Sequence, residues 1–267
     1  VWSLTAQVRI LFSSAYFFVK SFCSSFPTSL TFFVVCMLAL IVVDVQRDFC
    51  EGGALGVSGS DPAVERCAAL VNEHPWALVV ATLDWHPEDH VSFAATHGQE
   101  PYTAVQVRAP NGAAIEQVLW PKHAVQGTPG AALDMRLTDA LAVAAERGLP
   151  VHYVHKGTDA CLDSYSGFAD MGCMRFTELA SLLRRAGVHT VVVCGLATDY
   201  CVRHTAIDAV HLGFRTFVVS DATCGVTDES SAEAFASMNA AGCIDVTSDA
   251  LPRYLQGALA AADGGEL

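Results

Sequence analysis

The sequence predicts an α/β fold, a three-layer α/β/α arrangement with a mostly parallel central sheet. Two observations support this prediction: short apolar runs alternate with helical patterns, and several of the runs end in a polar residue or a glycine turn. Continuous apolar strands are typical of parallel sheets that are covered on both faces. The chain has 267 residues, of which 52% are hydrophobic and 16% charged. This composition suits a large, well-packed domain.

Five apolar runs are predicted strands, and CIDVT is a weaker sixth. In chain order the five are LALIVV ending at Asp44, WALVVATL ending at Asp84, PVHYVH ending at Lys156, HTVVVCG ending before Ala197, and FRTFVVS ending at Asp221. The predicted helices between them are Pro62–Glu73, Leu137–Arg147, Thr177–Arg185, Asp199–Leu212 and Ser230–Ala241. Gly148, Gly187 and Gly213 follow three of these helices as C-cap signals. The connection from 86 to 132 is long, which is typical of functional loops.

Charge and cysteine usage limit the classes of partner. The formal net charge of −13 argues against nucleic acid, because phosphate binding needs clustered lysine and arginine. A small molecule is the expected partner. The ten cysteines form no C-x-x-C pair, so a zinc ribbon or a thioredoxin motif is excluded. Reduced thiols of a cytoplasmic protein are expected, and the oligomeric state, a homo-oligomer included, is left open.

The first 36 residues differ from the rest of the chain. The stretch from Ser21 to Val43 carries no charge and is long enough to resemble a membrane span. Leu38–Val43 is better explained as a buried strand, so a span is not expected. We expect the domain to cover 37–257 and begin at Met37, with 258–267 as a frayed tail. Residues 1–36 are then an upstream extension, a gene-model error or a targeting segment, and the last would alter the location.

Four predicted strands deliver polar groups to one edge of the sheet. Asp44, Asp84, Lys156 and the turn Gly195–Cys201 all follow carboxyl ends of parallel strands, where open α/β sheets bind ligands. Taken singly, Asp44 is an ordinary helix or turn cap, Lys156 is a solvated strand end and Cys201 is a buried thiol. Their shared edge favours a catalytic site instead.

Cys201 falls on the first turn of a predicted helix, where the helix dipole favours a thiolate. A carboxylate such as Asp44 can take the thiol proton, and the Lys156 ammonium can keep that carboxylate ionised. The turn also offers backbone amides, and those of Ala197 and Cys201 are candidate donors to an oxyanion.

A second group of residues has the donors of a metal site. Asp84 and His86 alternate across Trp85, so both point to one side of an extended backbone, and His123 lies on the long connection. One aspartate and two histidines suit Zn²⁺ or Fe²⁺. The alternative is a surface turn without a metal. His90 is either a further ligand or, as we favour, a hydrogen-bond partner of a ligand.

Two aromatic residues lie close to these motifs in sequence. Phe49 and Trp120 are either part of the core or the walls of an apolar slot. Such a slot, with a few polar groups, would hold a small heteroaromatic molecule.

The motifs together resemble those of the nicotinamidases, within the isochorismatase-like cysteine hydrolases. The resemblance rests on ALIVVDVQRDFCEGGAL, DWHP, WPKHAVQGTPGA, HKGTD followed by YSGF, and GLATDYCVRHTAIDA, which come in the order of that family. It spans about 38 to 250 and implies an isochorismatase-like fold. The D-x-H and W-P-x-H motifs distinguish the chain from the isochorismatases, which lack this metal-binding pair.

The resemblance implies a role for each matching residue. Cys201 would be the nucleophile, Asp44 the general base and acid, and Lys156 the third member of the triad. A cis peptide bond would join Leu196 to Ala197 in the oxyanion turn. The remaining implied roles are metal binding by Asp84, His86 and His123, ring binding by Phe49 and Trp120, and a position near the pocket for Tyr165.

The implied reaction is hydrolysis of nicotinamide, and also of pyrazinamide, serving NAD salvage. Nicotinamide would yield nicotinate and ammonia. Zn²⁺ is the expected ion, with Fe²⁺ or Mn²⁺ as alternatives, and it would bind the pyridine nitrogen. Two other functions stay open on the sequence alone. One is an amidohydrolase of the same fold acting on a carbamoyl or ureido compound, and the other is a catalytically inactive sensor of a pyridine ligand.

Overall fold

The computed structural model describes residues 37–256, and its centre is a six-stranded parallel sheet. In chain order the strands are β1 (Met37–Val43), β2 (Leu78–Asp84), β3 (Ala104–Arg108), β4 (Ala114–Val118), β5 (Val151–Lys156), β6 (Val188–Leu196), β7 (Arg215–Cys224) and β8 (Ile244–Val246). The central sheet has the order β5-β2-β1-β6-β7-β8, and each neighbouring pair is parallel. The predicted parallel sheet is therefore confirmed.

Helices cover both faces of this sheet, as the three-layer prediction requires. They are α1 (Asp61–Glu73), α2 (Ala94–His97), α3 (Met135–Glu146), α4 (Leu179–Arg185), α5 (Arg203–His211) and α6 (Asp228–Ala241). Helices α1 and α3 pack on one face, and α4, α5 and α6 pack on the other. Neighbouring residues Leu40 and Ile41 of β1 belong to opposite core clusters and are both fully buried. Burial on both faces explains why β1 shows no polar alternation.

The long connection after β2 contains structure that the strand and helix patterns did not predict. Strands β3 and β4 form an antiparallel hairpin outside the central sheet, with Ala104 opposite Val118. The hairpin turns through Asn111 and Gly112, a dipeptide that is a known hairpin signal. The prediction of a long functional loop omitted this hairpin because its strands are short and largely exposed.

Two further expectations concern termini and cysteines. The predictions that 1–36 is an extension and 258–267 a tail concern positions outside the described residues. Between residues 37 and 256 the structure contains no helix that is long and apolar enough to cross a membrane. All cysteines within this range are free thiols.

Candidate active site

The register of the central sheet brings the predicted strand ends to one level. Val43, the last residue of β1, pairs with Thr82 of β2 and with Gly195 of β6. Asp84, at the end of β2, pairs with Lys156 at the end of β5. Four neighbouring strands therefore end around a common point.

Gly195 permits the close approach of β6 to β1 at this point. Its φ is +123°, and a Cβ placed there would overlap the carbonyl oxygen of Val43. Only glycine fits both the backbone conformation and the space. The strand pair can therefore bring the turn that follows β6 next to the residue that follows β1.

Asp44 leaves the end of β1 in a left-handed conformation with φ +49°. Its Oδ1 accepts a hydrogen bond from the Thr82 hydroxyl at 2.6 Å, and its Oδ2 forms an ion pair with Lys156 Nζ at 2.8 Å. The aspartate is completely buried. A buried carboxylate held by a hydroxyl and an ammonium is a strongly oriented group.

Lys156 connects the groups at the sheet edge. Its Nζ lies 2.5 Å from Asp84 Oδ1, 2.9 Å from the Ser164 carbonyl oxygen and 3.4 Å from Cys201 Sγ. The side chain is fully buried, so these contacts and the ion pair with Asp44 replace its hydration. The structure thus brings together the three predicted residues Asp44, Lys156 and Cys201, which we call the acid–base cluster.

Charges within this cluster set the protonation states. Burial lowers the pKa of Lys156, but the carboxylates of Asp44 and Asp84 outweigh it and raise that pKa well above its usual range. Burial raises the pKa of Asp84, but Lys156 and then His86 outweigh it and lower that pKa. For Asp44 burial dominates over Lys156, so its pKa is raised. Asp44 is therefore the carboxyl best able to exchange a proton.

The thiol of Cys201 differs from the thiolate that the sequence predicts. Burial raises its pKa well above the usual range, against the opposing charge of Lys156. The sequence places Cys201 on the first turn of an α-helix, and this prediction is wrong. Cys201 lies in a π-helical turn, Thr198–Val202, that precedes α5. The turn is wider than an α-helical turn because Val202 N donates to the Ala197 carbonyl, five residues earlier, at 3.1 Å. A resting thiol needs a base, and Asp44 is beside it.

The peptide bond between Leu196 and Ala197 is cis, as the resemblance implies. Ala197 is the N-cap of the π-helical turn and, with Cys201, lines a cavity at the sheet edge. The turn therefore presents backbone next to the thiol on the cavity wall.

Asp84, His86 and His123 converge as predicted. His86 Nε2 lies 3.5 Å from Asp84 Oδ2, and one ligand atom from each of the three residues lies within 4.8 Å of the others. His86 Nδ1 donates to the Gly157 carbonyl at 2.8 Å, and His123 Nδ1 donates to the Pro121 carbonyl at 2.7 Å. Both Nε2 atoms therefore remain available to a metal ion. Burial and the charge of His86 lower the pKa of His123 to about 4, which keeps this imidazole neutral.

His90 stacks on His86 with ring centroids 4.0 Å apart. We expected His90 to form a hydrogen bond to one of the metal-binding residues, and among the described residues it forms none. Its ring lies face to face with that of His86, and its Nδ1 pairs with Ser92 Oγ at 2.7 Å. Its buried Nε2 has no hydrogen-bond partner in the described part of the chain. Burial lowers its pKa to about 4. His86, His90 and His123, here called the imidazole cluster, supply the histidines of two groups whose ligand atoms lie within 4.8 Å of one another, Asp84–His86–His123 and His86–His90–Asp163, and both groups have donor types that suit a divalent cation.

The backbone beyond β2 holds the imidazole cluster together. His86 N donates to the Ala124 carbonyl at 3.0 Å, and Gln126 N donates to the His86 carbonyl at 2.8 Å. The Asp48 carboxylate accepts from Ala124 N at 2.8 Å. These bonds fold the long connection back onto β2 and place His123 beside His86.

A cavity of about 190 Å³ opens between the two clusters. The predicted substrate-binding residues Phe49, Trp120 and Tyr165 all line it. Trp120 Nε1 donates to the Tyr165 hydroxyl at 3.2 Å, and Phe49 packs edge-on against His123 at 5.4 Å. The cavity thus has aromatic walls, a thiol on one side and imidazoles on the other, as a site for a small polar heteroaromatic requires.

Sequence reasoning missed several residues that support these groups. The Gln46 amide accepts from Asp84 N and donates to the Asp84 carbonyl, both at 2.8 Å. Asp163 lines the cavity, and one of its oxygens lies within 4.8 Å of ligand atoms of His86 and His90. The role of Thr82 could have been predicted from the sequence, because it is the one residue with a hydroxyl group in the otherwise apolar run that precedes Asp84.

Asp199 ties the π-helical turn to the start of α6. Its carboxylate accepts from Val226 N at 3.2 Å and from the Ser230 hydroxyl at 2.6 Å. Val226 lines the cavity, so this bond connects one rim of the cavity to the turn that carries Cys201.

Known proteins share this fold and these motifs. Residues 38–250 match the family model described as the isochorismatase domain. The nicotinamidase of Escherichia coli strain K12 is 41% identical over 208 residues, which cover 76% of this chain and 92% of that protein. The solved yeast nicotinamidase Pnc1p, bound to the inhibitor nicotinaldehyde, has a TM-score of 0.74 at 30% identity, and the match covers 79% of this chain and 100% of that chain.

A solved structure with a metal is also similar. The pyrazinamidase of Pyrococcus horikoshii in complex with zinc has a TM-score of 0.59 at 36% identity, covering 79% of this chain and 98% of that chain. Together with the donor set described above, this similarity supports a divalent metal ion in the present chain. The match to the family model and the nicotinamidase relatives give the same classification. The chain belongs to the isochorismatase-like hydrolases and, within them, to the nicotinamidase group.

Proposed function

We propose that this chain is an amidohydrolase that converts nicotinamide to nicotinate and ammonia and so serves NAD salvage. The observation that carries the proposal is the contact of a thiol, a carboxyl and an ammonium group (Cys201, Asp44 and Lys156) beside an aromatic-walled cavity. The similar yeast nicotinamidase binds nicotinaldehyde, the aldehyde counterpart of this amide, which supports a pyridine substrate.

The pyridine ring would lie between Phe49 and Trp120. The Tyr165 hydroxyl accepts a hydrogen bond from Trp120 Nε1 and so fixes the plane of the indole. Asp84, His86 and His123 would hold the divalent ion, which we propose to be Zn²⁺, with Fe²⁺ or Mn²⁺ as alternatives. When bound, the ion would supply a Lewis acid for the ring nitrogen and so orient the carboxamide toward the thiol.

In the first half-reaction the thiol becomes acylated. Asp44 takes the proton of Cys201, and the sulfur forms a bond to the carboxamide carbon, whose carbonyl becomes an oxyanion. The backbone amides of Ala197 and Cys201 would stabilise this oxyanion. The carbon–nitrogen bond then breaks, and the departing nitrogen takes the proton from Asp44 and leaves as ammonia.

In the second half-reaction water hydrolyses the thioester and releases Cys201. Asp44 accepts one proton from the attacking water, the thioester bond breaks, and Asp44 passes this proton to the sulfur. The nicotinic acid that forms releases its remaining proton to solvent as nicotinate. The raised pKa of Asp44 suits a group that both takes and gives a proton near neutral pH. Lys156 keeps its positive charge throughout and compensates the negative charge that passes between Asp44 and Cys201.

The test is ammonia release from a panel of amides by the full chain, with and without a chelator. We expect nicotinamide and pyrazinamide to be hydrolysed and carbamoyl and ureido compounds to be unreactive. Mass spectrometry of a rapidly quenched reaction should find a nicotinoyl thioester on Cys201. Binding of nicotinamide without ammonia release would instead identify a sensor, and release from ureido compounds alone would identify a different hydrolase.

A further inference from the structure

Trp120 is surrounded by three tyrosines in different positions. Tyr165 accepts the hydrogen bond from its Nε1, and the Tyr200 ring packs perpendicular to the indole with centroids 5.0 Å apart. The Tyr102 ring packs perpendicular to it as well, with centroids 6.0 Å apart. All three tyrosines line the cavity, but only Tyr102 belongs to the segment that leads into the hairpin β3–β4.

Tyr102 differs from its neighbours in exposure. The residue is 66% exposed, whereas Trp120 is 7% exposed. A ring that remains this open to solvent buries little apolar surface and contributes little to folding.

The backbone of Tyr102 is in a conformation that side chains disfavour. Its φ is +67°, in the left-handed region. Tyr102 N donates to the Leu119 carbonyl at 2.5 Å, and Leu119 N donates to the Thr103 carbonyl at 2.9 Å. These two bonds attach the segment to the strand end that leads into Trp120. Glycine would make the same backbone bonds without the strain.

We propose that Tyr102 is a specificity-determining residue whose ring forms the outer wall of the cavity, over the edge of a flat heteroaromatic amide held against Trp120. The inference rests on the proposed function and adds to it the group that selects planar rings at the mouth of the site. Three features support it: the ring lines the cavity, it packs on Trp120, and the fold needs neither its burial nor a side chain at this left-handed backbone position.

The test uses the opposite effects that Tyr102→Gly should have on stability and on binding. Removing the strain should raise Tm by about 2 °C, while loss of the ring should raise KM for nicotinamide by about tenfold. Because the triad is untouched, kcat should stay within about threefold. Tyr102→Phe, which keeps the ring, should recover most of the loss in KM.

A matched control separates strain from binding. Cys173 has a φ of +50°, is exposed, and lies outside the cavity. Cys173→Gly should therefore raise Tm by a similar amount and leave KM unchanged.

The outcomes distinguish the two proposals. If the parent chain releases no ammonia from nicotinamide, the proposed function fails and the role of Tyr102 fails with it. If the parent is active and Tyr102→Gly has an unchanged KM, only the present inference is wrong. A fall in Tm of more than about 5 °C in Tyr102→Gly would show that the ring stabilises the fold, and this result would also overturn the inference.

Discussion

The acid–base cluster and the imidazole cluster are both buried beside one cavity, but different parts of the fold position them. Asp44 follows the end of β1 and Lys156 ends β5, and both of these strands pair with β2. Cys201 lies in the turn that follows the end of β6. His90 and His123 lie on the long connection and depend on local hydrogen bonds such as that from Ala124 N to Asp48. The sheet therefore fixes the reactive groups and Asp84, whereas loop contacts fix His90 and His123.

Asp84 contacts both clusters. One carboxylate oxygen lies 2.5 Å from Lys156 Nζ, and the other lies 3.5 Å from His86 Nε2. Changes in either cluster can therefore reach the other through one side chain. The comparison predicts that changes to the acid–base cluster lower kcat and that changes to the imidazole cluster alter ring binding and acid stability.

The largest expected effect is that of Cys201→Ala. Removal of the nucleophile should lower kcat/KM by about 10⁴-fold or more, equivalent to about 5.5 kcal/mol, with Tm little changed. Cys201→Ser should be nearly as inactive, because Asp44 is a weak base for an alcohol. Steady-state ammonia release measures both variants, and the exposed thiol variant Cys161→Ala serves as the control. Residual activity above about one tenth in Cys201→Ala would exclude the nucleophile role.

The second effect is a loss of stability in acid for the metal-free protein. The pKa values of His90 and His123 are lowered to about 4 in the fold, chiefly by burial, from 6.5. A lowered folded pKa gives stability that is present above pH 6.5 and lost as the pH falls toward 4. Between pH 6.5 and pH 5 the loss should be about 2 kcal/mol for each imidazole.

Urea unfolding at several pH values measures this loss. His123→Asn should reduce the pH slope of the unfolding free energy in that range by about one proton. An unchanged slope would mean that His123 is not held neutral by the fold.

The third effect separates ring binding from chemistry. His86→Ala, or chelation of the parent protein, should raise KM for nicotinamide by about 10- to 100-fold and lower kcat less. Benzamide, which lacks the ring nitrogen, should be a poor substrate of the parent enzyme. Metal content measured by mass spectrometry should fall in the variant. Equal turnover of benzamide and nicotinamide would contradict binding of the ring nitrogen by the ion.

The smallest effect concerns a hydroxyl within the strand. Thr82→Val removes the 2.6 Å hydrogen bond to Asp44 and should lower kcat by about tenfold, with KM unchanged. Loss of a donor to the carboxylate should raise the pKa of Asp44 further, so the acidic limb of the pH–rate profile should move to higher pH. An identical profile for Thr82→Val and the parent would remove Asp44 from the rate-limiting proton transfers.

Much of the site at the sheet edge could be predicted because the carboxyl ends of parallel strands share that edge. Asp44, Asp84 and Lys156 each follow an apolar run, so their positions needed only the assignment of the strands. The supporting contact of Gln46 with Asp84 needed the register between strands, which no local pattern encodes. The raised pKa of Cys201 could not be predicted either, because it depends on burial by residues distant in the chain.

The prediction of the long connection was less complete for a physical reason. The hairpin β3–β4 is mostly exposed, so its strands lack the apolar pattern that identified the central sheet. Asn111–Gly112 was the one local signal for it. The π-helical turn at Thr198–Val202 was predicted as ordinary helix because both structures have similar residue preferences and differ in hydrogen bonding.

Gly195 has a consequence for how activity is assigned to related sequences and natural variants. A variant with alanine at 195 would keep every residue of both clusters, so a survey of those positions alone would classify it as an intact hydrolase. Its β1 and β6 strands would have to separate to make room for the new methyl group beside Val43, which would move the thiol away from its base. The residues of the two clusters are therefore necessary but not sufficient evidence of turnover, and surveys of variants should treat this glycine as strictly as the cysteine.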